Sequence, residues 1–132
     1  MKSEDAMHEQ QLSKRERQIM DVVYTSGRAA VEDVLEGMAN PPSRSAVRTF
    51  LRILEIKGFV RHEKNGKKYI YIPTQPRRAV GKSAFRRVLD VFYGGSLEGA
   101  VAAHLLDPKS EVSGEELERL SAVLKHAKKR GE

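Results

Sequence analysis

Residues 43–73 read SRSAVRTFLRILEIKGFVRHEKNGKKYIYIP, and this stretch decides the fold. Apolar residues in its first half recur at i, i+3, i+4 and i+7, which is the pattern of one buried helix face. Either Ser43 or Ser45 can cap the start of this helix, and Gly58 suits the left-handed position that closes it. The pattern predicts an amphipathic helix whose buried stripe consists of Val47, Phe50, Leu51 and Leu54.

The exposed face of the same helix carries three arginines at every fourth position, with two hydroxyl residues beside them. Arginine can donate two hydrogen bonds to guanine, and hydroxyl groups can contact bases or phosphates, so this face suits a reader of the DNA major groove. An ordinary solvated face would include more acids than the single Glu55 found here. We expect DNA contacts from Arg44, Ser45, Arg48, Thr49 and Arg52.

A basic β-hairpin follows the helix. Residues 59–64 and 67–73 are strand-like, and Asn65-Gly66 between them is a strong hairpin signal, because both residues accept positive φ in a type I′ turn. A basic hairpin directly after a basic helix predicts a winged helix-turn-helix, with the wing over phosphates or an adjacent minor groove. The expected wing contacts are Lys64, Asn65, Lys67 and Lys68.

The residues before this stretch complete a DNA-binding domain at 12–75. Residues 1–11 are polar and are predicted to be a disordered tail. Ser13 and Glu16 form a capping box, which predicts a helix over residues 14–25. Residues 31–38 have helical apolar spacing, and Asn40-Pro41-Pro42 ends that pattern. The fold class is therefore mainly α with a small β-hairpin wing.

Residues 76–132 are predicted to form a three-helix dimerisation domain. Helices are expected over residues 77–92 and 97–105 and after a second capping box at Ser113 and Glu116. Three short helices bury little area alone, and bacterial DNA readers commonly match two-fold operators. The alternative is packing against the winged helix of the same chain. The expected interface residues are Leu97, Val101, Leu105, Leu117, Leu120 and Leu124.

The positive charge is concentrated in the middle third of the chain. The net charge is +6, yet residues 43–87 alone carry 13 basic and 2 acidic residues. Such a block is typical of a protein that binds a phosphate backbone, so double-stranded DNA is the expected partner. The chain has no Cys, no signal-like apolar segment near residue 1 and no apolar run of about 20 residues. We therefore expect a cytoplasmic protein without membrane insertion.

An enzyme is disfavoured. The four histidines are far apart in sequence and lack metal-ligand spacing, and Gly94-Gly95 is a turn rather than a phosphate loop. Neither a nucleophile elbow nor an HExxH motif occurs, so we expect no catalytic residue, metal or cofactor. Two other binding functions stay open: a winged helix that binds protein, and a MarR-type repressor released by a small ligand.

An ordered set of motifs resembles the penicillinase-repressor (BlaI/MecI/CopY) family over about residues 12–127. The resemblance implies a homodimeric transcriptional repressor, with an N-terminal winged helix and a three-helix dimer domain, that binds an inverted repeat in the promoters of its target genes. The residues that carry it are 12–20 (LSKRERQIM), 45–51 (SAVRTFL), 57–60 (KGFV), 69–71 (YIY), 92–96 (FYGGS) and 112–117 (VSGEEL).

The chain departs from the family pattern in two places. The copper-responsive branch binds its metal through C-terminal cysteines, which this chain lacks. In the antibiotic-responsive branch a membrane metalloprotease sensor triggers cleavage of an Asn-Phe bond after the Gly-Ser turn. Aligned on Ser96-Leu97, the corresponding pair is Ala103-His104, so the match at the scissile bond is lost.

Overall fold

The computed structural model describes residues 12–131, and the tail predicted over residues 1–11 lies outside them. The described chain is mostly helical and contains one antiparallel hairpin, which confirms the predicted fold class. Its elements, in chain order, are α1 (Lys14–Ser26), α2 (Val31–Gly37), α3 (Arg44–Ile56), β1 (Val60–Asn65), β2 (Lys68–Pro73), α4 (Arg77–Phe92), α5 (Leu97–Leu105) and α6 (Gly114–Gly131).

Helix α1 begins at the predicted capping box. The Ser13 hydroxyl accepts the Glu16 N–H at 3.2 Å, and the Glu16 carboxylate accepts the Ser13 N–H at 2.7 Å. Both hydrogen bonds satisfy amide groups that have no partner inside the helix. The helix ends at Gly27, whose φ of 79° lies in the left-handed region that glycine adopts without strain.

Helices α1 to α3 and the hairpin share one hydrophobic core. The α3 residues Val47, Leu51 and Leu54 are fully buried within it, whereas Phe50 is half-buried. The link between α1 and α2 joins the hairpin as a short edge, because Ala29 and Tyr71 exchange backbone hydrogen bonds of 2.9 and 2.8 Å. The core consists of Ile19, Met20, Val23, Ala29, Val34, Val47, Leu51, Leu54, Phe59, Val60 and Tyr71.

The hairpin forms with a different turn from the predicted one. Asn65 pairs with Lys68 as the last rung of the ladder, so the two loop residues are Gly66 and Lys67. Gly66 has a φ of 66°, and no other residue type in the described chain has positive φ. Glycine alone at the first central position is typical of a type II′ turn, so the predicted type I′ turn at Asn65-Gly66 is wrong. The register keeps Tyr71 in the core, and a shift by one residue would turn it outward.

The chain divides into two compact units, one ending at Arg87 and the other beginning at Val88, so that α4 runs across the division. In the second unit, Ser96 caps α5 by accepting the Gly99 N–H at 2.9 Å, and Ser113 accepts the Glu116 N–H at 3.1 Å before α6. No side chain between residues 88 and 131 is buried. None of the helices described is both long and apolar enough to cross a membrane.

Candidate nucleic-acid interface

Helix α3 presents its basic side to solvent because its apolar side is anchored in the core. Ser43 caps the helix by accepting the Ala46 N–H at 3.1 Å, so the prediction of a serine cap is confirmed at the first of its two candidates. Arg48 and Arg52 are exposed on the side away from the core. Among the described residues neither forms an ion pair, so both guanidinium groups are available to an anionic partner.

The predicted arginines and lysines converge on one cleft between α3 and the wing. Its volume is about 630 Å³. The basic helix side forms one wall and the hairpin tip the other, which brings together groups up to 24 residues apart in the sequence. A low-dielectric wall on each side concentrates the positive potential between them. The basic residues that line the cleft are Arg44, Arg48, Arg52, Lys64, Lys67 and Lys68.

Three other predicted contact residues do not line this cleft. Ser45 and Thr49 are exposed on the next side of α3, and the Thr49 hydroxyl donates to the Ser45 carbonyl at 3.1 Å. Asn65 is exposed at the end of β1. The predicted contact residues therefore fall into two groups. The basic residues line the cleft, and the three polar residues lie outside it.

A contact between side chains ties the wing to the end of α3. His62 Nδ1 lies 2.7 and 2.8 Å from the two carboxylate oxygens of Glu55, so strand β1 is joined to the last turn of the helix. The His62 ring stacks on Tyr69 with 4.4 Å between ring centroids. These contacts therefore join α3, β1 and β2.

Two further groups on the hairpin have shifted pKa values. Hydrogen bonds from Arg61 and Arg28 lower the pKa of the Glu63 carboxyl, and these contacts measure 3.1 and 3.2 Å. Burial raises the pKa of Tyr71, and nearby Glu55 adds to that effect. The Tyr71 hydroxyl is therefore neutral, and the Glu63 carboxyl is charged, at neutral pH.

Sequence reasoning missed two polar side chains that line the cleft. Tyr69 contributes a half-exposed ring. Glu32 of α2 contributes a carboxylate, the single one that the described residues place in this lining, and forms an ion pair with Arg44. No local pattern could have revealed the Glu32 contact, because its two partners lie on different helices and their approach depends on how α2 packs against α3.

The residues predicted for a dimer interface lie in the second unit. Leu97, Leu117 and Leu124 are exposed by 51%, 43% and 59%. The other three predicted interface residues are half-buried: Val101, Leu105 and Leu120. All six keep accessible apolar surface, so the described chain leaves them available for a partner.

A family model and a relative found by sequence agree on one family, and a solved structure gives a weaker likeness. The chain is 26% identical over 122 residues to a penicillinase repressor from Bacillus licheniformis, covering 91% of this chain and 94% of that protein. A solved structure of BpsR from Bordetella bronchiseptica superimposes on this chain with a TM-score of 0.47. That structure concerns the regulation of BpsR DNA binding by 6-hydroxynicotinic acid. It is 18% identical and covers 76% of this chain and 79% of that one.

The family model for penicillinase repressors matches residues 12–126, which is nearly the whole chain. This match confirms the resemblance seen in the motifs. It also confirms the prediction of a regulator of transcription rather than an enzyme. The chain belongs to the penicillinase repressor family.

Proposed function

We propose that this protein represses transcription by binding, as a homodimer, an inverted-repeat operator in the promoter of its target genes. The observation that carries the proposal is the convergence of six basic side chains on one cleft between α3 and the wing. A cleft with positive groups on both walls fits a phosphodiester strand, and the exposed helix beside it fits a major groove. A bound dimer would then block access of the polymerase to the promoter.

In this proposal α3 enters the major groove with its N-terminal half nearest the bases. Arg44, Arg48 and Arg52 on the cleft side and Ser45 and Thr49 on the polar side supply base or phosphate contacts. The wing follows the backbone through Lys64, Asn65, Lys67 and Lys68. Unpaired cations release counterions from the duplex when they bind it, so the affinity should fall steeply with salt.

The second unit supplies the dimer in this proposal. Residues 88–131 have no buried side chain, and Val91, Phe92 and Leu106 are exposed by 60%, 70% and 81%. Exposed apolar surface of this extent is costly in water and marks an interaction site. A second copy of the chain would cover it through Leu97, Val101, Leu105, Leu117, Leu120 and Leu124.

We also propose that the repressor works in the cytoplasm, where its DNA target lies. The membrane metalloprotease sensor that the resemblance implies would act on α5. Ala103 and His104 are exposed on that helix. They do not match the Asn-Phe pair, so we do not expect a sensor protease that requires that pair to cut this bond.

Selection from a randomised duplex library, followed by fluorescence anisotropy on the enriched duplex and a shuffled duplex, tests the proposal. We expect an enriched inverted repeat, tight binding to it, and a steep loss of affinity with salt. Enrichment of a single asymmetric site would contradict the homodimer. Absence of binding to any duplex at low salt would favour a protein-binding winged helix. Release of the enriched duplex by a small molecule would favour a ligand-sensing repressor.

A further inference from the structure

One acidic side chain lies in the cleft that the proposed function assigns to DNA. Glu32 is half-buried at the second position of α2, and it pairs with Arg44, the first residue of α3. Among residues 12–131, the other charged groups that line the cleft are all basic. A carboxylate at this place opposes the negative charge of a phosphate backbone, so its presence needs an explanation beyond electrostatic attraction to DNA.

Helix stabilisation does not account for the position of Glu32. An acid in the first turn interacts favourably with the helix macrodipole. Asp33, also in the first turn of α2, already serves the N-terminus, since its carboxylate accepts the Ala30 N–H at 2.8 Å. Glu32 instead extends toward α3, and its carboxylate pairs with a guanidinium on the DNA side.

The ion pair leaves Arg44 able to contact a base. A guanidinium has five N–H donors in a rigid plane, and the contact with Glu32 is made at Nη1. The remaining donors can still form the two-bond contact with a guanine edge. A guanidinium held on one side loses less side-chain entropy when it binds, so the pair prepares Arg44 for one orientation.

The same carboxylate disfavours contacts that carry no sequence information. Non-specific binding depends almost entirely on phosphate neutralisation, which the neighbouring Arg48 and Lys67 would supply on any sequence. A phosphate drawn to Arg44 would have to displace Glu32 or approach its negative charge. This cost applies to every duplex, whereas the preparation of Arg44 helps only where the correct base lies opposite.

We propose that Glu32 is a specificity-determining residue, which holds Arg44 for a base contact and repels phosphates that would otherwise bind there. The proposal rests on the proposed function, because it assigns the cleft to DNA. It predicts that removal of the charge strengthens binding to unrelated DNA and leaves binding to the operator unchanged or weaker.

The test compares wild type with Glu32→Gln on the duplex enriched by the wild-type protein and on its shuffled counterpart. We expect the affinity for the shuffled duplex to rise roughly fivefold, because a like charge is removed from the path of the phosphates. The operator affinity should not rise, so the specificity ratio should fall by at least that factor. Glu36→Gln is the matched control, since Glu36 is exposed one turn along α2, and it should leave the ratio unchanged.

A second variant separates the two roles. Glu32→Asp keeps the charge but shortens the side chain, so it should bind the shuffled duplex as weakly as wild type while losing operator affinity. An unchanged specificity ratio in Glu32→Gln, with wild type still preferring the operator, would overturn this inference alone. Equal binding of wild-type protein to both duplexes would overturn the proposed function and this inference together.

Discussion

The two units of the chain differ in how much apolar surface they bury within one chain. In the first, helices α1 to α3 and the hairpin bury eleven apolar side chains against one another. In the second, residues 88–131 bury none, although α6 carries an apolar stripe and α5 is largely apolar. The first unit therefore builds its core within one chain, and in our proposal a partner chain covers the second.

The largest effect is expected from a charge placed on the apolar stripe of α6. Leu120→Asp would bury a carboxylate in the proposed dimer contact, so we expect a monomer by analytical ultracentrifugation. The operator affinity should fall about 10²- to 10⁴-fold, because the second half-site would no longer bind at high effective concentration. Ala122→Asp, on the opposite side of the same helix, should leave the dimer intact. A dimeric Leu120→Asp would place the interface elsewhere.

A cavity introduced into the core of the first unit should instead lower the stability of the fold. Leu51 is fully buried on α3, and Leu51→Ala should lower the free energy of unfolding by about 2–5 kcal/mol. Ile56 ends the same helix and is 78% exposed, so Ile56→Ala should change it by less than about 0.5 kcal/mol. Urea unfolding followed by circular dichroism measures both. Similar losses in the two variants would mean that the α3 core is not packed as described.

Most of this first unit was predictable because its signals are local. The α3 stripe and the Ser13–Glu16 capping box follow from spacing within one turn or a few turns of helix, as do the bounds of α4, which continues into the second unit. The pairing of Ala29 with Tyr71 was not predictable, because it joins residues far apart whose approach depends on the finished core. The hairpin turn was also missed, because Asn65 pairs with Lys68 in the ladder and the turn falls on Gly66-Lys67, where only the glycine has positive φ.

The residues of the candidate site likewise divide into those with a local sequence signal and those without one. The basic residues were found from helical spacing and from the hairpin signal, both of which are local. Glu32 was missed because its contact with Arg44 depends on the packing of two helices. In the second unit the apolar stripes were equally visible, but a stripe does not reveal which surface covers it. The interface residues therefore remain a prediction.

A buried ion pair makes the first unit sensitive to acid. Glu16 is only 3% exposed, and Lys57 Nζ lies 2.9 and 3.0 Å from its carboxylate oxygens. Burial alone would raise the pKa of Glu16, but hydrogen bonds from Ser13 and Lys57 outweigh it and lower the pKa below 4.5. The folded state therefore favours the carboxylate, and this stabilisation is present above the unfolded-state pKa and lost as the pH falls through the folded-state value.

Glu16→Gln should therefore lower the free energy of unfolding by about 1–2 kcal/mol at neutral pH, because it removes a charged hydrogen bond to a partly exposed lysine. The difference from wild type should shrink as the pH falls below 4.5. Urea unfolding over this range measures it. Glu63→Gln, which breaks exposed pairs with Arg28 and Arg61, should have no resolvable effect. A loss independent of pH would show that Glu16 acts through packing and not through its charge.

The smallest expected effect compares one lysine from each unit. Lys67 lies at the wing tip and lines the basic cleft, whereas Lys125 is exposed on α6 outside it. Lys67→Ala should weaken binding to operator and shuffled duplexes alike and reduce the slope of log affinity against log salt by about one unit. Lys125→Ala removes the same charge and should leave the slope unchanged. Equal salt slopes in the two variants would mean that the wing does not contact DNA, because the loss of one positive charge would then explain both results.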